Sequence, residues 1–322
     1  MSSLYPLKFS PIYQERIWGG DKLKSVLNKD IPSDSIGESW EISTVPNNTA
    51  IVKNGNLKGT SLQYLVDNHG AALMGQKNVD RFGNQFPLLI KFLDAQTALS
   101  IQLHPNDELA KERHNSFGKT EMWYVLQADD NADLIVGFNQ KMTKEKYLEA
   151  LNANRLPEIM NSEKVAQGDT YFIEVGRVHA IGAGCMIAEI QQTSDVTYRL
   201  YDWGRVDANG NFRELHTSLA LDAINFDMKD DFRVSYGNTK NVSNLMVDCP
   251  YFNTSFLPID GTVSVENNHD SFIIYMCVNG QALLSYNDFE ITIYKGETIL
   301  VPAEIKTFNL SSDSVELLEV FV

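Results

Sequence analysis

The chain has 322 residues, 43% of them hydrophobic, with 42 acidic against 27 basic side chains and a formal net charge of −15. That balance argues against nucleic acid or an anionic membrane surface as the main partner, since each needs a basic footprint. A small phosphorylated ligand is still allowed, because it needs only a few cations gathered in one pocket. Cys185, Cys249 and Cys277 stand isolated and read as free thiols in a reducing compartment. No apolar stretch approaches the ~20 residues of a membrane-spanning helix. The first residues carry no basic segment followed by an apolar one, so a cytoplasmic protein without a signal peptide is expected.

In chain order, short runs rich in β-branched and aromatic residues dominate. "SWEIS", "PLLIKFL", "LSIQLH", "MWYVLQ", "ADLIVGF", "DTYFIEV", "MIAEIQQ" and "VTYRLYDW" each read as a strand bounded by Gly, Asn, Asp or Pro. Helical patterns are fewer. "TSLQYLVDNHGAALMG" begins on Thr/Ser and ends near Gly75, "TKEKYLEALNA" has Thr143 as N-cap, and "HTSLALDAINF" is the third. From Ser235 to Asp248 the text turns polar and irregular, and only strand signals follow it. Two units are therefore expected, residues 1–237 and 238–322.

The halves resemble one another. "QGDTYFIEVGRVHAI" aligns with "KGETILVPAEIKTFN", matching Gly168 to Gly296 and Thr170 to Thr298. A Gly, then a turn, then His resembles the second signature motif of the cupins, which are double-stranded β-helices, or jelly rolls. The expected fold is mainly β: two cupin-like jelly rolls, with a few helical excursions in the N-terminal part. The second copy has Glu304 and Thr307 where the first has Gly176 and His179, and Phe272 is set opposite Glu121. The chemistry is thus expected in the first unit.

On "LSIQLHP", Ser100, Gln102 and His104 alternate with Leu99, Ile101 and Leu103 and share a strand face. Glu121 opens the next polar-to-apolar run, and His179 follows the "GRVH" turn. On a cupin-like frame, Gln102, His104, Glu121 and His179 are candidate ligands of a divalent metal. Two imidazoles, one carboxylate and an open position form the usual catalytic pattern. In "TSDVTYRLYD" an extended chain puts Asp195, Thr197, Arg199 and Tyr201 on one face. Arg199 there is either an ion-pair partner of Asp195 or Asp202, or an anion clamp. Trp18 and Trp40 are read as core aromatics that are also placed to line a sugar site.

The segment "GRVHAIGAGCMIAEIQQTSDVTYRLYDWGR", together with "LSIQLHP", "GKTEMWYVL", "IWGG" and "GESWEIS", closely resembles type I phosphomannose isomerases of the short bacterial form. The resemblance spans most of residues 1–225. It implies interconversion of mannose 6-phosphate and fructose 6-phosphate through a cis-enediol, with one zinc ion per chain held by Gln102, His104, Glu121 and His179. Gln102 is the ligand that short forms least require. It also implies Arg199 and Lys119 as catalytic and substrate-binding residues. Ser100, beside Gln102 and His104 on their strand, is expected to bind substrate. The general base stays open among Glu189, Asp195, Lys119, His114 and a zinc-bound water. Two other readings use the same residues: an iron cupin oxygenase and a non-catalytic sugar-phosphate-binding cupin. A monomer or homodimer is expected, with no nucleic acid or membrane partner.

Overall fold

The structure, a computed structural model, describes residues 4–206, 209–229 and 231–322. The protein is mostly β, as the sequence predicts. Two sheets of the N-terminal part face one another. The larger has the strand order Thr170–Ile173, Glu121–Ala128, Cys185–Gln192, Leu88–Ala95, Ile36–Ile42, Ile12–Gly20. The smaller runs Met160–Lys164, Asp133–Phe138, His179–Ile181, Ile101–Leu103, Tyr198–Tyr201.

The larger sheet is buried on both faces, which is why its strands read as near-continuous apolar runs. In its strands Leu88–Ala95, Glu121–Ala128 and Cys185–Gln192, even-numbered side chains, among them Ile90, Phe92, Met122, Tyr124, Ala188 and Ile190, pack in a core that also holds Phe256, Ile274, Leu300 and Leu318 from the C-terminal sheet. Odd-numbered side chains of these strands turn toward the smaller sheet. There Leu93, Trp123, Val125 and Ile187 meet Leu134, Val136 and Ile181. The same odd-numbered face carries Lys91, Glu121, Glu189 and Gln191, all buried. Charge on a face enclosed by apolar core is the structural signature of a site.

The C-terminal strands Asn253–Glu266, Ile273–Tyr286 and Thr307–Phe321 are long and interrupted by register shifts near Gly261 and Gly280, both with positive φ. Such bulges bend a sheet over its own core, here Leu257, Tyr275, Leu284, Ile293 and Leu317. The repeat seen in the sequence is present with one correction. Ile173 pairs with Glu121 and Val301 pairs with Ile273, so Ile273, not Phe272, is the counterpart of Glu121. Gly168 and Gly296 both sit at positive φ in the matching turns.

The N-terminal segment crosses to the far unit. Leu7 pairs with Leu300, its N–H donating to the Leu300 carbonyl at 2.8 Å.

Helices form at Leu62–Met74 and Lys144–Asn152, the latter capped by Thr143 as predicted. The third predicted helix shrinks to Thr217–Ala220, because Leu221, Ile224 and Phe226 pack separately against the smaller sheet. A helix not foreseen, Asp107–His114, follows His104. No helix among the described residues is long and apolar enough to cross a membrane.

Candidate metal centre

Register builds the site. In the smaller sheet Val136 pairs with His179, His179 with Gln102, and Gln102 with Arg199. One cross-strand row therefore carries an imidazole, an amide and a guanidinium. In the larger sheet the facing row is Trp40, Lys91, Glu189 and Trp123. Glu121 pairs with Gln191 one row further along. Between the sheets opens a cleft of about 400 Å³, lined by both rows and by Ser100, Lys119, Asp195 and Thr197.

His104, Glu121 and His179 converge, with one ligand atom from each lying within 4.8 Å of the others. His104 Nδ1 donates to the Val196 carbonyl at 2.9 Å and His179 Nδ1 to the Arg177 carbonyl at 2.8 Å. Both rings thus present a lone pair on Nε2. Those atoms lie 3.5 Å from Glu121 Oε2 and 3.5 Å from Glu121 Oε1, respectively. Ligands at about 2.1 Å in a tetrahedral array stand roughly 3.4 Å apart, so the spacing fits a divalent ion. The chemistry fits as well. Glu121 Oε1 is buried with no hydrogen-bond partner, a cost that a bound cation removes. Burial drives the His179 imidazole down to about 3 and His104 well below its ordinary range, so both are neutral. Burial raises the Glu121 carboxyl to about 7 against the pull of Lys119. The "GRVH" turn that delivers His179 needs its glycine. Gly176 has φ +76°, and a Cβ there would lie 2.2 Å from the Ala223 carbonyl oxygen.

Gln102 stands beside this trio, its Nε2 3.5 Å from His179 Nε2 and its Oε1 3.2 Å from Ser100 Oγ. Lys119 bonds Glu121 and reaches His104 Nε2 at 3.2 Å. Its ammonium places positive charge against the same two ligands.

Next to the trio runs a chain of alternating charge of which the sequence analysis named only Glu189. Arg16 Nε bonds Glu38 at 2.8 Å, Lys91 lies 3.6 Å from Glu38 and 3.1 Å from Glu189, and Trp123 Nε1 donates to Glu189 at 3.0 Å. Burial opposes the ionised Glu38, yet Lys91 and Arg16 hold its carboxyl down at about 2. Glu189 is likewise kept below its ordinary value, against burial, by Lys119 and Lys91. The available signal was the lysine inside the otherwise apolar "LLIKFL".

At the other end of the cleft Arg199 is not neutralised by Asp202, which instead holds Arg205 and Arg213. Arg199 Nη1 donates to the Glu214 carbonyl at 2.9 Å, and its buried Nε has no partner. Arg213, also unforeseen, joins it in lining the cleft. Asp195 and Thr197 line the cleft with Arg199, whereas Tyr201 falls after a register shift and does not. Asp195 is exposed at the rim. His114 binds Tyr198 at 2.9 Å and lines a neighbouring groove instead. Trp18 and Trp40 are both buried and both line the cleft. Leu99, on the aliphatic side of the strand alternation, lines the cleft as well, while Ile101 and Leu103 pack in the outer core.

Residues 6–133 match the family described as phosphomannose isomerase type I, catalytic domain, and residues 241–322 match the mannose-6-phosphate isomerase cupin domain. The chain is 35% identical over 308 residues to mannose-6-phosphate isomerase ManA of Bacillus subtilis, covering 95% of each chain. It is 33% identical over 309 residues to the mannose-6-phosphate isomerase of Streptococcus mutans, covering 96% of each. The crystal structure of a Bacillus subtilis mannose 6-phosphate isomerase superposes with a TM-score of 0.90 at 32% identity, over 99% of this chain and 100% of that one. The chain belongs to the type I phosphomannose isomerase family.

Proposed function

We propose that this protein interconverts mannose 6-phosphate and fructose 6-phosphate, with one zinc ion per chain held by His104, Glu121 and His179 and with Gln102 adjacent. The observation that carries the reading is a buried His104/Glu121/His179 trio whose His179 opens onto the cleft, with Arg199, which Asp202 does not bond, lining the same cleft. Aldose–ketose isomerisation moves a proton between C1 and C2 through a cis-enediol. It needs a proton acceptor at those carbons, something to hold developing oxyanion charge, and a clamp for the phosphate. When bound, a divalent ion polarises the carbonyl or adjacent hydroxyls. Lys119, an ammonium against the ligand trio, adds positive charge beside the reacting oxygens. Glu189, kept ionised by Lys119 and Lys91, is a buried carboxylate facing the same space and the proton acceptor in this reading. Arg199, with a free buried Nε, binds the phosphate in the directional manner of a guanidinium, joined by Arg213. Ser100 Oγ, on the strand beside Gln102, meets a sugar hydroxyl or the phosphate.

The same reading places the protein in the cytoplasm as a monomer or homodimer. It also keeps the division near residue 237, with the ligand-free second unit in a supporting role. A coupled assay tests it: metal content is measured on the purified protein, then fructose 6-phosphate formation from mannose 6-phosphate is followed. Turnover that requires zinc is expected. A folded, zinc-loaded sample without turnover overturns the isomerase reading in favour of simple sugar-phosphate binding. Activity that appears only with a redox metal and O₂ favours the oxygenase.

A further inference from the structure

A chain of hydrogen bonds runs from the C-terminal sheet to the strand that carries Lys119 and Glu121. Asp107 opens the helix that follows His104, just after the cap residue Asn106. Its Oδ1 accepts the Gly118 N–H at 2.8 Å and the Gln192 side-chain N–H at 3.0 Å. Gln192 Oε1 in turn accepts the N–H of Thr120 at 2.9 Å, and its backbone N–H donates to the Thr120 carbonyl at 3.1 Å. Only one orientation of the Gln192 amide satisfies both side-chain bonds. Asp107 Oδ2 accepts from the hydroxyl of Tyr251 at 2.9 Å. Tyr251 lies between the C-terminal strands Asn244–Asp248 and Asn253–Glu266. The Arg81 guanidinium lies over the ring of Tyr251, 5.8 Å from its centroid.

These bonds bracket the two residues that matter. Gly118 and Thr120 flank Lys119, and Thr120 precedes Glu121. The backbone at Gly118 presses so closely on the helix start that a Cβ would lie 2.7 Å from the Asp107 nitrogen. Gln192 ends the strand that holds Glu189. One carboxylate therefore ties together the segment after His104, the Lys119–Glu121 segment and the Glu189 strand.

We propose that Asp107 is a positioning residue for catalysis, and that Tyr251, through its bond to Asp107, makes the metal-free C-terminal unit part of the isomerisation machinery. The proposal rests on the isomerase reading, but part of its test does not. A displacement of about 1 Å in a catalytic group lowers turnover by as much as ~100-fold. Removing a group that orients metal ligands costs about 10- to 100-fold.

The experiment compares Asp107→Ala, Asp107→Asn, Tyr251→Phe and the Asp107→Ala/Tyr251→Phe pair in the full chain. Each is loaded with zinc for kinetics and with cobalt(II) for its visible absorption spectrum. Asp107→Ala is expected to lower kcat by about 10-fold or more with KM within about twofold, and to shift the cobalt band. Asp107→Asn keeps an acceptor for Gly118 and Gln192 and should stay within about threefold of wild type. Tyr251→Phe should fall between them, and the double variant should match Asp107→Ala, because Tyr251 acts through Asp107. Wild-type kcat and an unshifted cobalt band in folded Asp107→Ala would overturn the proposal, even with a lowered melting temperature. So would an Asp107→Asn as damaged as the alanine variant, or additive losses in the double variant. If Asp107→Ala does not fold, Tyr251→Phe decides: kcat and cobalt band both at wild-type values reject the relay. A wild-type protein without turnover refutes the isomerase reading instead, and the cobalt band still tests the relay.

Discussion

Replacing Lys91 with methionine probes the buried charge chain beside the metal centre. Lys91 Nζ lies 3.1 Å from Glu189, 3.6 Å from Glu38 and 5.0 Å from the Trp40 ring, with its own side chain 7% exposed. Methionine fills similar volume but leaves two buried carboxylates facing one another. Breaking a buried ion pair from one side costs about 3–5 kcal/mol. A second route gives a similar size. Glu38 is held at about 2 against an ordinary 4.5, and such a shift is worth about 3 kcal/mol of folding stability. Its folded value is depressed, so this stability is fully present above pH ~4.5 and is lost as the pH falls through ~2. Glu189 is depressed in the same direction and acts with the same sign. Lys91 is the leading counter-charge for Glu38, and Arg16 remains in the variant. At ~2.1 cal/mol/K per residue, 1 kcal/mol in a chain of this length corresponds to about 1.5 °C. Lys91→Met should therefore melt about 5 °C below wild type at pH 7, and the gap should narrow at pH 3.5 as the carboxylates take up protons. Paired thermal melts at the two pH values measure it. An unchanged Tm at pH 7, or a gap as wide at pH 3.5, would refute the assignment of Lys91 as the counter-charge.

His104→Ala should lose bound metal and turnover together; full activity after dialysis against a chelator would remove His104 from the ligand set. Arg199→Ala should keep its metal content while kcat/KM for the phosphorylated sugar falls about 10- to 100-fold, the worth of a hydrogen bond to a charged group. An unphosphorylated mannose substrate should be far less sensitive to that change, and equal sensitivity would argue against the phosphate role.

Much of the centre was legible because its members sit in local patterns. Strand alternation placed Ser100 and Gln102 on one face, and the glycine turn announced His179. Glu121 stood out as a carboxylate heading an apolar strand. The facing wall was harder to read. Trp40, Lys91, Glu189 and Trp123 come from four strands, and what makes them neighbours is register, which periodicity within one strand does not encode. Arg16 and Arg213 stand in no local pattern that marks them and reach the cleft only through folding. The Asp107–His114 helix escaped for another reason. It buries only Ala110 and is defined by Asn106 and Asn115 at its ends, so it has no apolar stripe to detect. The repeat was visible in its glycine turns but misaligned by one residue at Glu121, because short apolar strands slide past one another without changing character.

The bridge between Leu7 and Leu300 has a consequence for how the chain is made. The two residues are 293 positions apart in sequence, so during synthesis the segment around Leu7 emerges long before the strand it will join. Until Thr298–Val301 and the strands around it have left the ribosome, Leu4, Leu7 and Phe9 have no finished core to enter. Folding of the part that carries the His104/Glu121/His179 trio is therefore completed late, when a docking step joins segments 293 positions apart.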